Sequence, residues 1–395
     1  VVVTATPVPP TAVPPTAAPK PADTVVYALQ QEPDTLHPLV GNMMARTIVL
    51  SFVLQGCMLQ NDKTEWVALG CDSVPTLENG GAKLVGDGAD KHLEVTYKIR
   101  KGWAWHDGTP VTSKDVVYSG KLQMDPDFEI AGRDALEKIY EISEVDDSTF
   151  VTKFMSEKQA KAAAAGTLKG NVPFEKFKDD YAASGYDKQV GAVVDPTYWN
   201  IGWAAGTWLP SHILSKTPAK DQKTSEWARK PVGDGPFKIK EWKAGQEIVL
   251  ERNDKFVSGA PKIKTIVVRF YAETKGVIAA FQKGELDCSA TTAGLTTADT
   301  PDLDKLAATG KYKVEYQPGY QWEHIDLNVQ KFPLDDVKVR QALAHAVDKK
   351  ALVDRLYYGK QAVAELPNAI GKDNSWAYTD NFTKYPFDLN KAKTL

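Results

Sequence analysis

The residues of this chain that could do chemistry gather most densely in WAWHDGTPVTSKDVVYSG, Trp103 to Gly120. His106 stands beside Asp107, and Asp115 follows eight residues later. An imidazole next to a carboxylate is material for general acid–base catalysis, because the imidazole exchanges protons near neutral pH and the carboxylate can orient it. Elsewhere the candidates are scattered. Histidines 37, 92, 106, 212, 324 and 345 include no His-Glu-x-x-His pair, and Cys57, Cys71 and Cys288 lack metal-like spacing. There is no Gly-x-Ser-x-Gly elbow and no Gly-x-x-x-x-Gly-Lys-Ser/Thr loop. Carboxylates are abundant, but spacing alone does not single out a glycosidase pair. No cofactor is expected, and the balance shifts from catalysis toward binding.

The elements that must position these residues point the same way. HLEVTYKIRKG, ahead of the stretch, alternates Leu93, Val95, Tyr97 and Ile99 with polar neighbours and predicts a half-buried strand. Asp107-Gly108 is a turn dipeptide. Thr112 and Asp115 have the spacing of a capping box, each side chain reaching the other's N–H, with Val111 and Val116 as its hydrophobic staple. Asp115 is therefore expected to start a helix, Asp107 to make a turn, and His106 to have no catalytic partner.

The chain has 395 residues, 43% of them apolar, and a formal net charge of -3. That is enough for two or three domains with their own cores. It carries no basic excess of the kind nucleic-acid capture needs. No apolar run reaches the eighteen or so residues of a membrane span, and no cleavable signal peptide stands at the start, as in a mature form. The first 22 residues contain seven prolines, no aromatic residue and one charge. Such a segment cannot pack a core and favours polyproline II, reaching roughly 70 Å at about 3.1 Å per residue. Residues 1–23 are read as a disordered spacer that holds a globular body away from an anchor outside this sequence. For Cys57 and Cys71 two readings stay open: a disulfide if the chain is exported, or buried free thiols.

Further along, VVYALQ reads as a strand and RTIVLSFVLQG as an apolar helix. Gly233-x-Gly235 could suggest a phosphate loop, but Pro236 and a hairpin (FKIKEW, KAGQ, EIVLER) follow where a helix would be required. KIKTIVVRFY predicts a strand and TKGVIAAFQKGELD a helix ending at Gly284. Residues 314–329 are expected to hold another strand, followed by helices in DDVKVRQALAHAV and in DKKALVDRLYYG, the second capped by Asp348. Strands and helices alternate without a repeating unit, which indicates α/β.

Taken together, EPDTLHPL (32–39), KIRKGWAWHDGTPVTSKDVVYS (98–119), KPVGDGPFKIKEW (230–242), LERNDKF (250–256), FQKGELD (281–287), DLNVQKFPLDDVKVRQALAHAVDKKALVDRLYYG (326–359) and YPFDLNKAKTL (385–395) show a familiar order and spacing. From about residue 24 onward they resemble the bacterial extracellular solute-binding proteins of ABC importers, in the dipeptide, oligopeptide and nickel class. In that family the His106 stretch is scaffold. The resemblance implies a two-lobed α/β periplasmic-binding-protein fold with an extra inserted domain. Residues 24–57 and 190–272 would form the core of the first lobe, 58–189 the inserted domain, and 273–395 an incomplete second lobe. Family chains run longer, so a C-terminal part, which supplies much of the anchoring of peptide termini, is expected to be missing here. This sequence also departs from the family at Gly-Asp-Gly-Pro, where many relatives have Gly-Thr-Gly-Pro, and at LGCDSVPTL.

The implied function is capture of a solute outside the membrane, most simply a peptide, and delivery to an ABC permease. The protein would act as a monomer in the periplasm or at the cell surface, attached by a lipid anchor. Gly41, Asn42, Met43 and Met44 should line the cleft from the first lobe, Tyr271 should stand at the crossing, and Tyr320, Trp322 and His324 should face the cleft from the second. Ordinary core packing is the alternative for each. Trp199, Trp203 and Trp208 raise a second reading, a stacking platform for an oligosaccharide, against the same alternative. An extracellular hydrolase rests only on His106-Asp107 and the unassigned carboxylates.

Overall fold

In the computed structural model the described residues are 21, 23–41, 43–61, 65–130, 139–168, 208–289, 295–316, 323–363, 379 and 381–395. The chain divides into two compact units. One comprises Val1–Glu273 with Glu285–Ala293, the other Thr274–Gly284 with Gly294–Leu395.

The first unit is built on strands β1 (Thr24–Leu29), β8 (Phe237–Lys243), β9 (Glu247–Arg252), β10 (Thr265–Phe270) and β11 (Cys288–Ser289), in the order β11-β1-β10-β9-β8. β1 runs parallel to both β10 and β11, while β8, β9 and β10 form an antiparallel meander. The expected hairpin is thus present. Helix α1 (Met44–Val53) packs the buried Ala45, Val49, Leu50 and Val53 into the main core, and its Phe52 meets Tyr27 of β1 edge-on at 6.0 Å.

Strands β2 (Met58–Gln60) and β3 (Trp66–Ala68) make a small ribbon. Strands β4 (Ala82–Val85), β5 (His92–Lys98), β6 (Ile139–Asp146) and β7 (Thr149–Phe154) form a separate antiparallel sheet in the order β4-β5-β7-β6. The alternation read in HLEVTYK is realised: Leu93, Val95 and Tyr97 are buried, and Tyr97 stacks on Phe150 of β7 with centroids 4.8 Å apart. Cys57 and Cys71 are joined as a disulfide, closing a loop of a length for which cross-linking contributes about 3 kcal/mol.

Helix α2 (Ser113–Gln123) begins with the capping box expected of Thr112 and Asp115, the Thr112 N–H donating to Asp115 Oδ2 at 2.9 Å. Asp115 does more than cap. The indole N–H of Trp105 donates to the same oxygen at 3.1 Å, and the Ser211 N–H and hydroxyl donate to Oδ1 at 2.8 and 2.7 Å. The carboxylate therefore joins the Trp105 turn, α2 and the short helix α4 (Ser211–Leu214). Helix α3 (Glu157–Ala164) has its own capping box between Ser156 and Gln159.

In the second unit, α5 (Thr274–Lys283), α6 (Thr300–Ala308), α7 (Val337–Ala346), α8 (Lys349–Leu356) and α9 (Leu389–Thr394) are the described helices. Asp336, Asp348 and Asp388 cap α7, α8 and α9, each accepting a backbone N–H. Residues 323–328, placed in a strand by sequence, form none. Their alternation is genuine, but Glu323, His324 and Ile325 are exposed, so no face is buried to fix a strand register. This unit leaves large apolar side chains in solvent, with Phe332 90% and Ile325 74% exposed.

Candidate ligand-binding site

Strands β1, β10 and β11 point the same way, so their carboxyl ends share one edge of the sheet. In open α/β sheets that edge is where ligands bind, because loops and helix N-termini converge there. Tyr271 directly follows β10 and donates its N–H to the Leu29 carbonyl at the end of β1, at 2.8 Å. Half-burial raises its phenol pKa, against a smaller opposing pull from Arg269.

Residues 30–43 run from β1 to α1. Their first part is fastened down, with the Leu36 N–H on the Ala228 carbonyl at 2.7 Å. His37 is fully buried, its ring 5.5 Å from both Phe128 and Trp227. Its Nδ1 accepts the Leu39 N–H, and burial pushes its pKa down to about 4, so the ring is neutral. Past this anchor Gly41 emerges exposed with φ +73°, a left-handed turn that suits glycine. Met43, half-buried against the core, occupies the N-cap of α1 without a side-chain cap bond, and Met44 is 49% exposed. Gly41 and Met44 are thus exposed, while the Gly41 carbonyl accepts from Arg46 and the Met43 carbonyl accepts the Thr47 N–H at 3.3 Å. Asn42 lies outside the described residues, as do Tyr320 and Trp322. His324, in the second unit, is exposed and pairs with Asp326 at 3.2 Å.

The His106 stretch is scaffold. His106 Nδ1 accepts the Gly233 N–H at 3.1 Å, and Nε2 bonds the Gly235 carbonyl at 3.0 Å. Both ring nitrogens are spent on backbone, and burial lowers the ring's pKa to about 4. Asp107 takes the Thr109 N–H at 2.9 Å and meets His212 at 2.7 Å. Burial works to raise its pKa, but the bonds from His212 and Thr109 outweigh that and lower it. Gly233 and Gly235 are required by close approach: a Cβ on Gly233 would stand 2.1 Å from the Val53 carbonyl oxygen. Trp208 is fully buried, 5.1 Å from Trp103 and edge-on to Phe150, so it belongs to the core and not to a stacking platform. Trp199 and Trp203 lie outside the described residues. Among the described residues no cluster of His, Cys, Asp or Glu could hold a metal, and no helix is long and apolar enough to cross a membrane.

Two charged groups escaped the sequence reading. Arg46 is the one charged residue of α1 and is only 5% exposed, and Asp234 is 1% exposed. A lone arginine in MARTIVLSFV was the available signal for the first. The second sits in the glycine pair, where only the packing against Val53 shows that it is buried.

The sequence from 86 to 395 matches the model for bacterial extracellular solute-binding proteins, family 5. The chain belongs to this family. Among curated relatives of this solute-binding protein, the oligopeptide-binding protein AppA of Bacillus subtilis is 26% identical over 305 residues, covering 77% of this chain and 48% of AppA. OppA of the same organism is 29% identical over 367 residues, covering 90% of this chain and 59% of OppA. The heme-binding protein A of Haemophilus influenzae is 33% identical over 168 residues, 42% of this chain and 29% of that protein. The chain thus spans about half the length of the first two. The solved structure of B. subtilis AppA with a nonapeptide matches with a TM-score of 0.67 at 23% identity, covering 94% of this chain and 62% of that one. NikZ of Campylobacter jejuni with Ni(L-His) matches with a TM-score of 0.62 at 19% identity, covering 95% and 62%. The solute-binding protein described here accordingly has the mixed α/β fold of the two-lobed periplasmic binding proteins.

Proposed function

We propose that this chain belongs to an ABC-importer receptor that captures a peptide outside the membrane and delivers it to a permease. Family membership carries the reading, and two relatives named for oligopeptide binding favour a peptide. Exposed Gly41 and Met44, with the half-buried Met43, support this reading, since methionine side chains adapt to varied ligand shapes. Tyr271 flanks the strand end that leads into this turn, and Tyr320, Trp322 and His324 are the further ligand contacts of this reading. Ligand binding would favour a closed form of the receptor, which the permease recognises. No bond is made or broken. The first 23 residues act as the spacer between this body and a lipid anchor.

Native mass spectrometry of the protein purified from cells grown in rich medium tests this. A co-purified ligand that fragments by amino-acid residue masses is the expected result. Losses of hexose or pentose would replace the peptide with an oligosaccharide.

A further inference from the structure

Glu32 lies three residues past the end of β1, yet it bonds to the far side of the sheet. Its Oε1 accepts the indole N–H of Trp242 at 2.8 Å, and its Oε2 accepts the Gly245 N–H at 2.9 Å. Trp242 is on β8, and Gly245 is in the turn between β8 and β9. β8 is antiparallel to β9, and β9 to β10, so β8 runs parallel to β1 and its turn stands at the same carboxyl edge. Two strands, β10 and β9, separate β1 from β8, and three strand spacings make the reach roughly 14 Å. Residues 30–32 therefore form a strap across the carboxyl side of β10 and β9, beside the point where the Tyr271 N–H meets the Leu29 carbonyl.

The strap is closed into a ring. Arg229 covers the face of Trp242, its guanidinium carbon 3.7 Å from the ring centroid. The preceding residue, Ala228, offers its carbonyl to the Leu36 N–H at 2.7 Å and to the Thr35 hydroxyl at 3.4 Å. Residues 32–36 are thus tied at the front to β8 and its turn and at the back to Ala228. Arg229 on Trp242 joins the two ties. Ordering such a stretch costs conformational entropy, and here the fold meets that cost before any ligand arrives.

We propose that Glu32 is a positioning residue for ligand capture: through Trp242 and Gly245 it fixes residues 30–36 along the ligand-binding edge, so that the solute meets a preformed wall. A segment that is already ordered gives up less freedom on binding, which raises affinity without adding a contact. With both oxygens engaged, Glu32 acts through the strap and not on the solute. The strap stands on the bonds just described, whereas its part in capture rests on the function proposed above.

The test compares full-length wild type with Glu32→Gln, Trp242→Phe, the double variant and Lys243→Gln. Lys243 neighbours the same turn but pairs with Glu241 and Glu247, so its variant is the control. Glutamine offers one acceptor oxygen where the carboxylate offers two, and phenylalanine keeps a ring under Arg229 without the indole N–H. The first measurement is hydrogen exchange of the ligand-free proteins. The Leu36 and Gly245 amides should exchange at least about 10-fold faster in Glu32→Gln and Trp242→Phe than in wild type or Lys243→Gln, while β9 and β10 stay protected. Unchanged exchange at both amides would overturn the strap. The second measurement is retention of a tryptic digest of casein, and separately of mixed malto-oligosaccharides, in native mass spectrometry. Each single variant should hold the retained solutes about 5- to 30-fold more weakly than wild type. The double variant should be no weaker than the weaker single, because both substitutions break the same contact. A general loss of stability would instead add, and melting curves matched to wild type keep the two apart. Additive losses, or wild-type retention despite faster exchange, would refute the positioning role. Sugars retained in place of peptides, with the same pattern among variants, would keep the role of Glu32 and remove the peptide reading. Retention of neither solute by wild type, with the exchange difference intact, would overturn the part of the strap in capture.

Discussion

Gly235 and Val53 touch backbone to backbone. The N–H groups of Gly235 and Asp234 both donate to the Val53 carbonyl, at 2.9 and 3.2 Å, and a Cβ on Gly235 would stand 2.7 Å from the Val53 carbonyl carbon. The end of α1 is thereby clasped by the segment leading into β8. Gly235→Ala should force the two apart and lower unfolding stability by about 1–3 kcal/mol. Denaturant titration measures this, and an unmoved midpoint would show that the clasp yields without cost.

Asp234 is enclosed with Oδ1 on the Gln55 N–H at 2.9 Å and Oδ2 unpartnered. Burial raises its pKa from 3.8 to about 8. A carboxyl that holds its proton more tightly when folded contributes stability that is fully present below about pH 4. That contribution is lost as pH rises toward 8. The slope is at most about 1.4 kcal/mol per pH unit for one proton. Asp234→Asn copies the protonated form. Its stability relative to wild type should therefore grow between about pH 5 and pH 8. Parallel curves over that range would mean that Asp234 ionises normally.

His37 and His106 carry the opposite dependence. Burial lowers both from 6.5 to about 4, so the unfolded chain takes up their protons first. The stability they contribute is present above about pH 6.5 and is lost as the solution is acidified toward 4. Histidine NMR should show both rings still neutral at about pH 5. Midpoints near 6.5 would contradict their burial.

Asp115 and Asp107 separate scaffold from surface. Asp115→Ala leaves the Trp105, Thr112 and Ser211 donors without their acceptor and should cost more than about 3 kcal/mol. Asp107→Asn removes a partly exposed pairing with His212 and should cost under about 1 kcal/mol, with ligand affinity unchanged. Calorimetric melting of the two variants, followed by ligand titration of Asp107→Asn, checks both expectations.

Much of this was legible locally. The Thr112–Asp115 box, the β8–β9 hairpin and the Asp348 cap depend on residues a few positions apart, and short spacing determines their geometry. The fold and family followed from the order of several motifs, none of them decisive alone. What stayed hidden depends on contacts across long sequence separations. Nothing near Asp115 announces Ser211, and nothing near Gly233 announces Val53. The strand expected over residues 314–329 failed where described because alternation needs a buried face to act on, and residues 323–325 have none. Arg46 was passed over because an arginine in an apolar helix looks like a surface position until its burial is known.

The parallel pairing of β1 with β10 and β11 also sets a schedule for assembly. Thr24 at the front of the globular text waits for Thr265, and Tyr27 waits for Cys288, before either gains its neighbour. The antiparallel sheet of β4 to β7 needs nothing beyond Phe154. A chain emerging from its N-terminus can therefore complete that sheet while β1 still has two open edges. Contacts of such long range are slow to form, because loop-closure entropy must be met first. During that interval VVYAL is the segment most in need of protection from other chains.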